Sequence, residues 1–326
     1  MKLTYKALAI SFASFFLFSC SNSDSSTPND ESIKDNFSFL AVTGDGKINK
    51  IGNNSGQITS YSKFEGLTSS TININTVTSS TDKIFLVEYY APSNKIFVFD
   101  KKTKKTISKL LVFPSEVTGQ YPSVSALTWD ESKKVLHGII VPNSYITTFE
   151  NSISYYVKIN PDTFEVSYSG LSFNQTASFS TFLNGNKFYS SYPNKDTYEI
   201  DTENNTVKKA LFNNTKILFS KAAFFSNNSI YCITNKAGII GNTIAKINLA
   251  NNTYEDLLPT DYIGYTFPSG PGYIDKNNNE YICYVQKGSE VFFLLKFNVL
   301  TKTYKYFELK SNTSIDDNFI IVDQIN

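Results

Sequence analysis

The single histidine, His137, is the first residue to consider for chemistry, because general-base and metal sites most often use histidine. A histidine zinc site needs companion ligands, and the chain offers no second histidine. A Ser-His-Asp triad is not excluded by counting residues, but the Gly-x-Ser-x-Gly elbow of one large hydrolase class is absent. The sequence therefore favours a structural or surface role for His137 over a catalytic one.

The segment Asp275–Glu280 spaces side-chain oxygens at alternate positions, as a calcium-binding loop does. It lacks the central glycine and the distal glutamate of such a loop. It also falls where every repeat of this chain has a turn. We therefore predict a hairpin turn, with calcium binding as the alternative.

A third group of residues could hold a small ligand without catalysing a reaction. Hydroxyl, amide and aromatic side chains gather in or just beyond loops that lead into apolar strands, and this mixture is typical of a small-ligand site for sugar or peptide groups. The alternative is that these side chains only satisfy backbone groups in turns. The candidate ligand-binding residues are Tyr121, Ser123, Gln175, Ser178, Ser269 and Tyr273.

A repeated phrase along the chain indicates the architecture that must position these residues. An alternating apolar strand ends at an Asp, Asn or Gly, which we call the anchor; a Ser, Thr or Asn follows three residues later, and then a second strand begins. Neighbouring anchors are 41 to 60 residues apart, a period typical of a radial β-array. The anchors are Gly52, Asp100, Asn160, Asp201, Asn248 and Asn298.

Each repeat contains four predicted strands, the content of one propeller blade. The first repeat starts at Phe37 and lacks an innermost strand, whereas the chain finishes with a lone strand at 318–325. Pairing these two ends completes a sixth blade and removes the exposed sheet edges. We predict an all-β, six-bladed propeller of four-stranded antiparallel blades. Its predicted innermost strands are Ile72–Thr78, Val124–Trp129, Phe179–Leu183, Ala222–Ser226 and Pro271–Asp275.

With repeats such as Ile96–Thr103, residues 37–326 resemble the TolB-like and quinoprotein-like propeller superfamily. That superfamily hosts enzymes, scaffolds and binding proteins, so the resemblance implies a fold and no activity. Acidic side chains enter the predicted innermost strands only at their outer ends, Asp130 and Asp275. We therefore predict no metal site and no cofactor.

The N-terminus resembles a bacterial lipoprotein signal. Lys2 and Lys6 precede the apolar stretch Ala7–Phe18, which is too short to cross a bilayer. The stretch ends in Leu-Phe-Ser-Cys, similar to the lipobox, and the resemblance implies lipidation of Cys20 after removal of residues 1–19. The alternative is an ordinary signal peptide with an incidental cysteine. Residues 20–36 are polar and are predicted to form a flexible tether to the propeller at 37–326.

Ser21 follows the cysteine where an aspartate would be the inner-membrane retention signal, so we expect an outer-membrane lipoprotein. The acids Asp24, Asp30 and Glu31 resemble the surface-export tethers of Bacteroidota lipoproteins. Whether the protein faces the periplasm or the cell surface stays open.

The composition narrows the range of partners. The 326 residues contain 30 lysines, no arginine and 29 acidic residues, so the basic surface that nucleic-acid binding needs is missing. Two further cysteines, Cys232 and Cys283, occupy matching strands of adjacent repeats, too far apart for a disulfide. We predict two buried thiols.

These observations predict a non-catalytic ligand-binding or scaffolding module on a lipid anchor. Its expected partners are the membrane and a glycan, a peptide or a surface protein. The alternative is a hydrolase or lyase acting on a glycan or peptide at the mouth of the propeller channel. A third possibility is a component of a surface assembly that docks on one blade face.

Overall fold

The structure is a computed structural model, and it describes most of the chain from Lys34 onward. The predicted signal peptide, Cys20, Ser178 and Ser269 lie outside the described residues. These residues are 34–68, 72–88, 94–119, 121–142, 153–175, 180–191, 196–210, 223–226, 228–235, 242–248, 250–251, 253–258, 265–266, 272–275, 277–287, 291–311 and 319–326.

The described residues form six antiparallel sheets, the six predicted blades. Blades 1 and 2 contain β1 (Ser38–Thr43), β2 (Lys47–Gly52), β3 (Ile58–Lys63), β4 (Val77–Ser79), β5 (Lys83–Glu88), β6 (Lys95–Asp100) and β7 (Thr106–Leu110). Blades 3 and 4 contain β8 (Ser123–Asp130), β9 (Val135–Val141), β10 (Ile153–Ile159), β11 (Val166–Asn174), β12 (Ser180–Asn184), β13 (Lys187–Ser191), β14 (Tyr198–Asp201) and β15 (Thr206–Lys209). Blades 5 and 6 contain β16 (Ala223–Ser226), β17 (Ser229–Asn235), β18 (Asn242–Asn248), β19 (Thr253–Asp256), β20 (Tyr265–Thr266), β21 (Tyr273–Asp275), β22 (Glu280–Lys287), β23 (Val291–Asn298) and β24 (Tyr304–Glu308).

The last strand, β25 (Phe319–Ile325), closes the ring by pairing with β1, as predicted. The register runs from Ser38 opposite Ile325 to Thr43 opposite Phe319, with one irregularity between Leu40 and Ala41. The sheet order β25-β1-β2-β3 places the C-terminal strand innermost in blade 1. Both ends of the propeller domain therefore share one blade.

Four of the anchors, Asp100, Asn160, Asp201 and Asn298, build the same hairpin turn. The Asp201 carboxylate accepts backbone N–H bonds from Glu203 and Asn204 at 3.0 and 2.9 Å, and Asn160 and Asn298 accept equivalent pairs. Four residues after the anchor, the chain adopts the left-handed conformation, with φ between 54° and 62°. An Asx side chain favours such a turn by bonding its own backbone. The left-handed residues are Lys104, Phe164, Asn205 and Lys302.

The first anchor is a glycine, and a residue from the N-terminal side takes over its role. The Asp35 carboxylate accepts from the backbone N–H groups of Asn54 and Ser55 at 2.7 and 2.9 Å. A Cβ atom on Gly52 would lie only 2.2 Å from Asp35 Oδ2. The missing side chain therefore makes room for the carboxylate that fastens the start of the domain to blade 1.

The core lies between blades, where the apolar faces of neighbouring sheets meet. One cluster joins Phe85 and Val87 of blade 2 to Val124, Leu136 and Val157 of blade 3. Such burial of apolar side chains between sheets is the main stabilising contribution in this architecture. No helix within the described ranges is long and apolar enough to cross a membrane.

The two predicted thiols lie in separate parts of this core. Cys232 is fully buried in a cluster with Phe182 and Ile230, and Cys283 is buried in a cluster with Ile233. Neither cysteine forms a disulfide, as the sequence predicted.

Candidate functional site

Two of the predicted ligand-binding residues, Tyr121 and Ser123, lie at the start of blade 3. Tyr121 is partly exposed, and its N–H donates to the Pro142 carbonyl at 3.2 Å. Ser123 is fully buried, and its Oγ has no hydrogen-bond partner within the described part of the chain. The buried Asn94 side chain holds this segment, since its Nδ2 donates to the Pro122 carbonyl at 2.6 Å.

Gln175 lies at the junction of blades 3 and 4. Its side chain is buried, and Oε1 accepts a hydrogen bond of 2.6 Å from Ser190 Oγ. Its Nε2 has no partner among the described residues.

Tyr273 lies at a different junction, between blades 6 and 1, where it packs edge-on to Phe39 with 6.0 Å between ring centroids. Burial raises the pKa of Tyr273 to about 12, with smaller contributions from Asp323 and Asp275. The four described candidates therefore occupy three separate positions around the ring. Ser178 and Ser269 lie outside the described residues.

A cleft lies between blades 2 and 3, and none of the six candidate residues lines it. Its volume is about 230 Å³. The sole tryptophan, Trp129, lines it and stacks on Phe85, with ring centroids 5.3 Å apart and 22° between the planes. The lining residues are Ser80, Thr81, Asp82, Lys83, Phe85, Trp129, Glu131, Lys134, Pro161 and Asp162.

Local turn chemistry positions the blade 3 side of this cleft. Asp130 Oδ1 accepts from the backbone N–H groups of Ser132 and Lys133 at 2.9 and 3.1 Å. The turn continues through Lys134 in the left-handed conformation, φ 52°. Trp129 is therefore the last residue of β8 before Asp130, and Glu131 lies just beyond the strand.

Glu131 connects the polar groups of the cleft. Its carboxylate accepts from Lys134 Nζ and Trp129 Nε1, and from Thr81 Oγ1 at 3.2 Å. The Lys134 and Trp129 hydrogen bonds lower the pKa of Glu131 and outweigh its desolvation. The carboxylate is therefore charged at neutral pH and orients the indole ring.

The cleft opens at the end of the propeller that carries the hairpin turns. In the antiparallel order of blade 3, the turns β8–β9 and β10–β11 share this end, and Tyr121 lies at the opposite one. A second ion pair joins Lys83 of blade 2 to Asp162 of blade 3 at 3.4 Å. Sequence reasoning missed this site because it took its ligand-binding candidates from loops that lead into apolar strands, whereas Trp129 lies near the far end of such a strand. The available signal was the only tryptophan, directly before Asp130 and Glu131.

The structure places His137 in the core, where its role is structural. The ring is fully buried between Tyr156 and Phe188, with ring centroids 5.8 and 5.6 Å away. Its Nδ1 lies 2.5 Å from Tyr156 Oη, and its Nε2 lies 3.3 Å from Asp130 Oδ2. Because an ionised carboxylate only accepts, Nε2 carries the proton and Nδ1 accepts from the tyrosine hydroxyl.

Asp275 makes the predicted hairpin turn. Its Oδ1 accepts from the backbone N–H groups of Asn277 and Asn278 at 3.0 and 3.2 Å, and its Oδ2 accepts from Asn278 Nδ2 at 2.7 Å. The turn itself therefore uses both carboxylate oxygens.

Comparison with known proteins shows the fold and no closer relationship. No family profile matches the chain, and no curated protein matches it. The structure of TolB from Acinetobacter baumannii matches with a TM-score of 0.56 and 12% identity, over 87% of this chain and 65% of TolB. This chain thus spans just under two thirds of TolB.

Two other solved structures show the same architecture. An oligogalacturonate lyase from Vibrio parahaemolyticus matches with a TM-score of 0.51 and 12% identity, over 86% of this chain and 82% of the lyase. A chain of a nidogen/laminin complex matches with a TM-score of 0.51 and 8% identity, over 83% of this chain and 92% of that chain. The protein is a six-bladed β-propeller. At these identities, the likeness concerns the fold alone.

Proposed function

We propose that this protein is a non-catalytic, ligand-binding propeller held at the outer membrane by a lipid on Cys20. The observation that carries the binding function is the cleft between blades 2 and 3. It combines the indole ring of Trp129, backed by the buried Phe85, with charged and hydroxyl groups at its rim, the usual composition of a small-ligand site.

The chemistry of the cleft supports binding over hydrolysis. A carboxylic acid that protonates a leaving group needs a raised pKa. Hydrogen bonds from Lys134 and Trp129 instead lower the pKa of Glu131. His137, the other titratable candidate, is enclosed by Tyr156 and Phe188 and holds a structural hydrogen-bond chain.

The binding function predicts a direct optical signal, because Trp129 is the only tryptophan of the chain. The mature protein carrying Cys20→Ser would be titrated with glycans and peptides, each with and without calcium, magnesium or zinc. We expect at least one ligand to change the tryptophan emission saturably, with no product formed. Metal-dependent turnover abolished by a chelator would overturn the non-catalytic function in favour of the hydrolase or lyase alternative.

The anchor is a separate proposal, based on the apolar stretch that ends at Cys20. Cells supplied with labelled fatty acid should label the parent protein, and Cys20→Ser should abolish that labelling because the acceptor thiol is gone. Cys232→Ser is the matched control, since this thiol is buried, and it should label like the parent. Equal labelling of Cys20→Ser and the parent would contradict the anchor.

A further inference from the structure

The geometry points to one neutral pyranose ring of a glycan as the ligand of the interblade cleft, an inference that rests on the proposed binding function of the same cleft. The floor of the cleft is aromatic. Trp129 is partly buried against the core and stacks on Phe85. The C–H groups on one side of a pyranose make that side of the ring apolar, so a broad aromatic surface is its natural partner.

The size of the cleft limits the ligand to about one ring. Sites for drug-sized ligands enclose about 300–1,000 Å³, whereas this cleft encloses about 230 Å³. The remaining units of a longer glycan would extend from the cleft across the face that carries the hairpin turns.

The rim offers both partners that a sugar hydroxyl needs. A hydroxyl can donate to a carboxylate and accept from an ammonium group. Glu131 and Asp82 supply carboxylates, and Lys83 and Lys134 supply ammonium groups. Thr81 adds a hydroxyl that already donates to Glu131 at 3.2 Å.

The charge pattern favours a neutral sugar over an acidic one. The lining holds three carboxylates, on Asp82, Glu131 and Asp162, against two ammonium groups. Both ammonium groups are already paired, Lys134 with Glu131 and Lys83 with Asp162. An acidic sugar would meet this excess of negative charge, and the chain has no arginine to bind its carboxylate in a bidentate manner.

A cationic peptide side chain fits less well than a neutral ring. It could pair with Asp82, but to pair with Glu131 or Asp162 it would have to displace Lys134 or Lys83. A neutral ring leaves both ion pairs intact. Its hydroxyl groups add hydrogen bonds to the carboxylate lone pairs and ammonium protons that the two pairs do not use.

The test uses the mature chain with Cys20→Ser and follows the emission of Trp129. Neutral oligosaccharides of glucose, mannose, galactose and N-acetylglucosamine would be titrated beside oligogalacturonate and an oligolysine peptide. We expect saturable emission changes from at least one neutral glycan and none from the acidic glycan or the peptide.

Two variants locate the site, with affinity measured by calorimetry because one of them lacks the indole. Trp129→Phe should weaken the neutral glycan at least tenfold, and Thr81→Val should weaken it several-fold while preserving the packing. The matched control is Ile274→Val, which lies at the same register, one residue before the turn aspartate of blade 6, and should bind like the parent. Melting temperatures would show that each variant is folded.

Each outcome has a defined meaning. Saturable binding of oligogalacturonate or oligolysine at Trp129, without binding of any neutral glycan, would overturn the neutral sugar as the ligand and leave the binding function standing. Neutral glycan binding that survives both Trp129→Phe and Thr81→Val would overturn this cleft as the sugar site. No emission change with any ligand of this panel or the broader one would overturn both proposals.

Discussion

Deletion of residues 318–326 is expected to unfold the propeller. The deletion removes β25, which supplies six residue pairs to β1 and the innermost position of blade 1. It also removes three buried apolar side chains, Phe319, Ile320 and Ile321, which pack against residues of blades 6 and 2. Burial of each such side chain contributes about 1.5–3 kcal/mol, and the whole domain is expected to be stable by about 5–15 kcal/mol.

The measurement is thermal and urea unfolding of the truncated and parent proteins. Removal of the exposed Asn326 alone is the matched control and should change neither midpoint. A truncated protein that melts at the parent temperature would show that ring closure contributes nothing to stability.

A single substitution within β25 gives an intermediate effect on the same closure. Lys101 is buried and reaches from blade 2 to the Asp323 carboxylate of β25, also donating to Ser79 Oγ at 3.0 Å. Removing one partner of a fully buried pair costs about 3–5 kcal/mol. Because Asp323 keeps 23% of its side-chain exposure, Asp323→Asn should fall below that range. It should therefore lower the unfolding midpoint less than the deletion does.

The six-bladed fold could be predicted because its determinants are local. Each anchor and its left-handed residue lie within five positions of the chain, so Asp201 and Asn205 already indicate a hairpin. Local side-chain chemistry also explains why the predicted strand Ile72–Thr78 was too long. Asn73 accepts from the Asn75 N–H at 3.0 Å and starts a 3₁₀ turn, Ile74–Thr76, so β4 begins only at Val77.

The candidate site could not be predicted in the same way because it depends on contacts between distant segments. Trp129 stacks on Phe85 of the preceding blade, and Lys83 pairs with Asp162 across the junction. Neither pairing has a local pattern. Gln175 was chosen for its chemistry and its place in a loop, but its burial against Ser190 of the next blade follows only from the packing of blades 3 and 4.

Acid is expected to destabilise the protein through His137. Burial lowers the pKa of this imidazole to about 4, although the Asp130 hydrogen bond and charge favour protonation; Lys158 and Lys133 add smaller lowering effects. The protein therefore folds around a neutral ring, with the Asp130 carboxylate accepting from Nε2 and Tyr156 donating to Nδ1. A proton on Nδ1 would remove the acceptor for the tyrosine hydroxyl.

The sign of the effect follows from proton binding in the two states. The unfolded chain, with an ordinary histidine pKa near 6.5, binds this proton at a higher pH than the folded chain. The contribution of His137 is therefore complete above about pH 6.5 and is lost as the pH falls towards 4. At about 1.4 kcal/mol per pKa unit, the loss is about 3 kcal/mol.

The measurement is direct because the chain has one histidine. The NMR signal of its ring should show no titration above pH 5, and a midpoint near 6.5 would contradict the buried neutral state.

Urea unfolding of His137→Gln gives the matched comparison, since glutamine can donate to Asp130 but does not titrate. Carboxylates with lowered pKa values, such as Asp130, also contribute to acid destabilisation in both proteins. The stability difference between parent and variant should therefore shrink between pH 6.5 and 4 by the contribution of the imidazole alone.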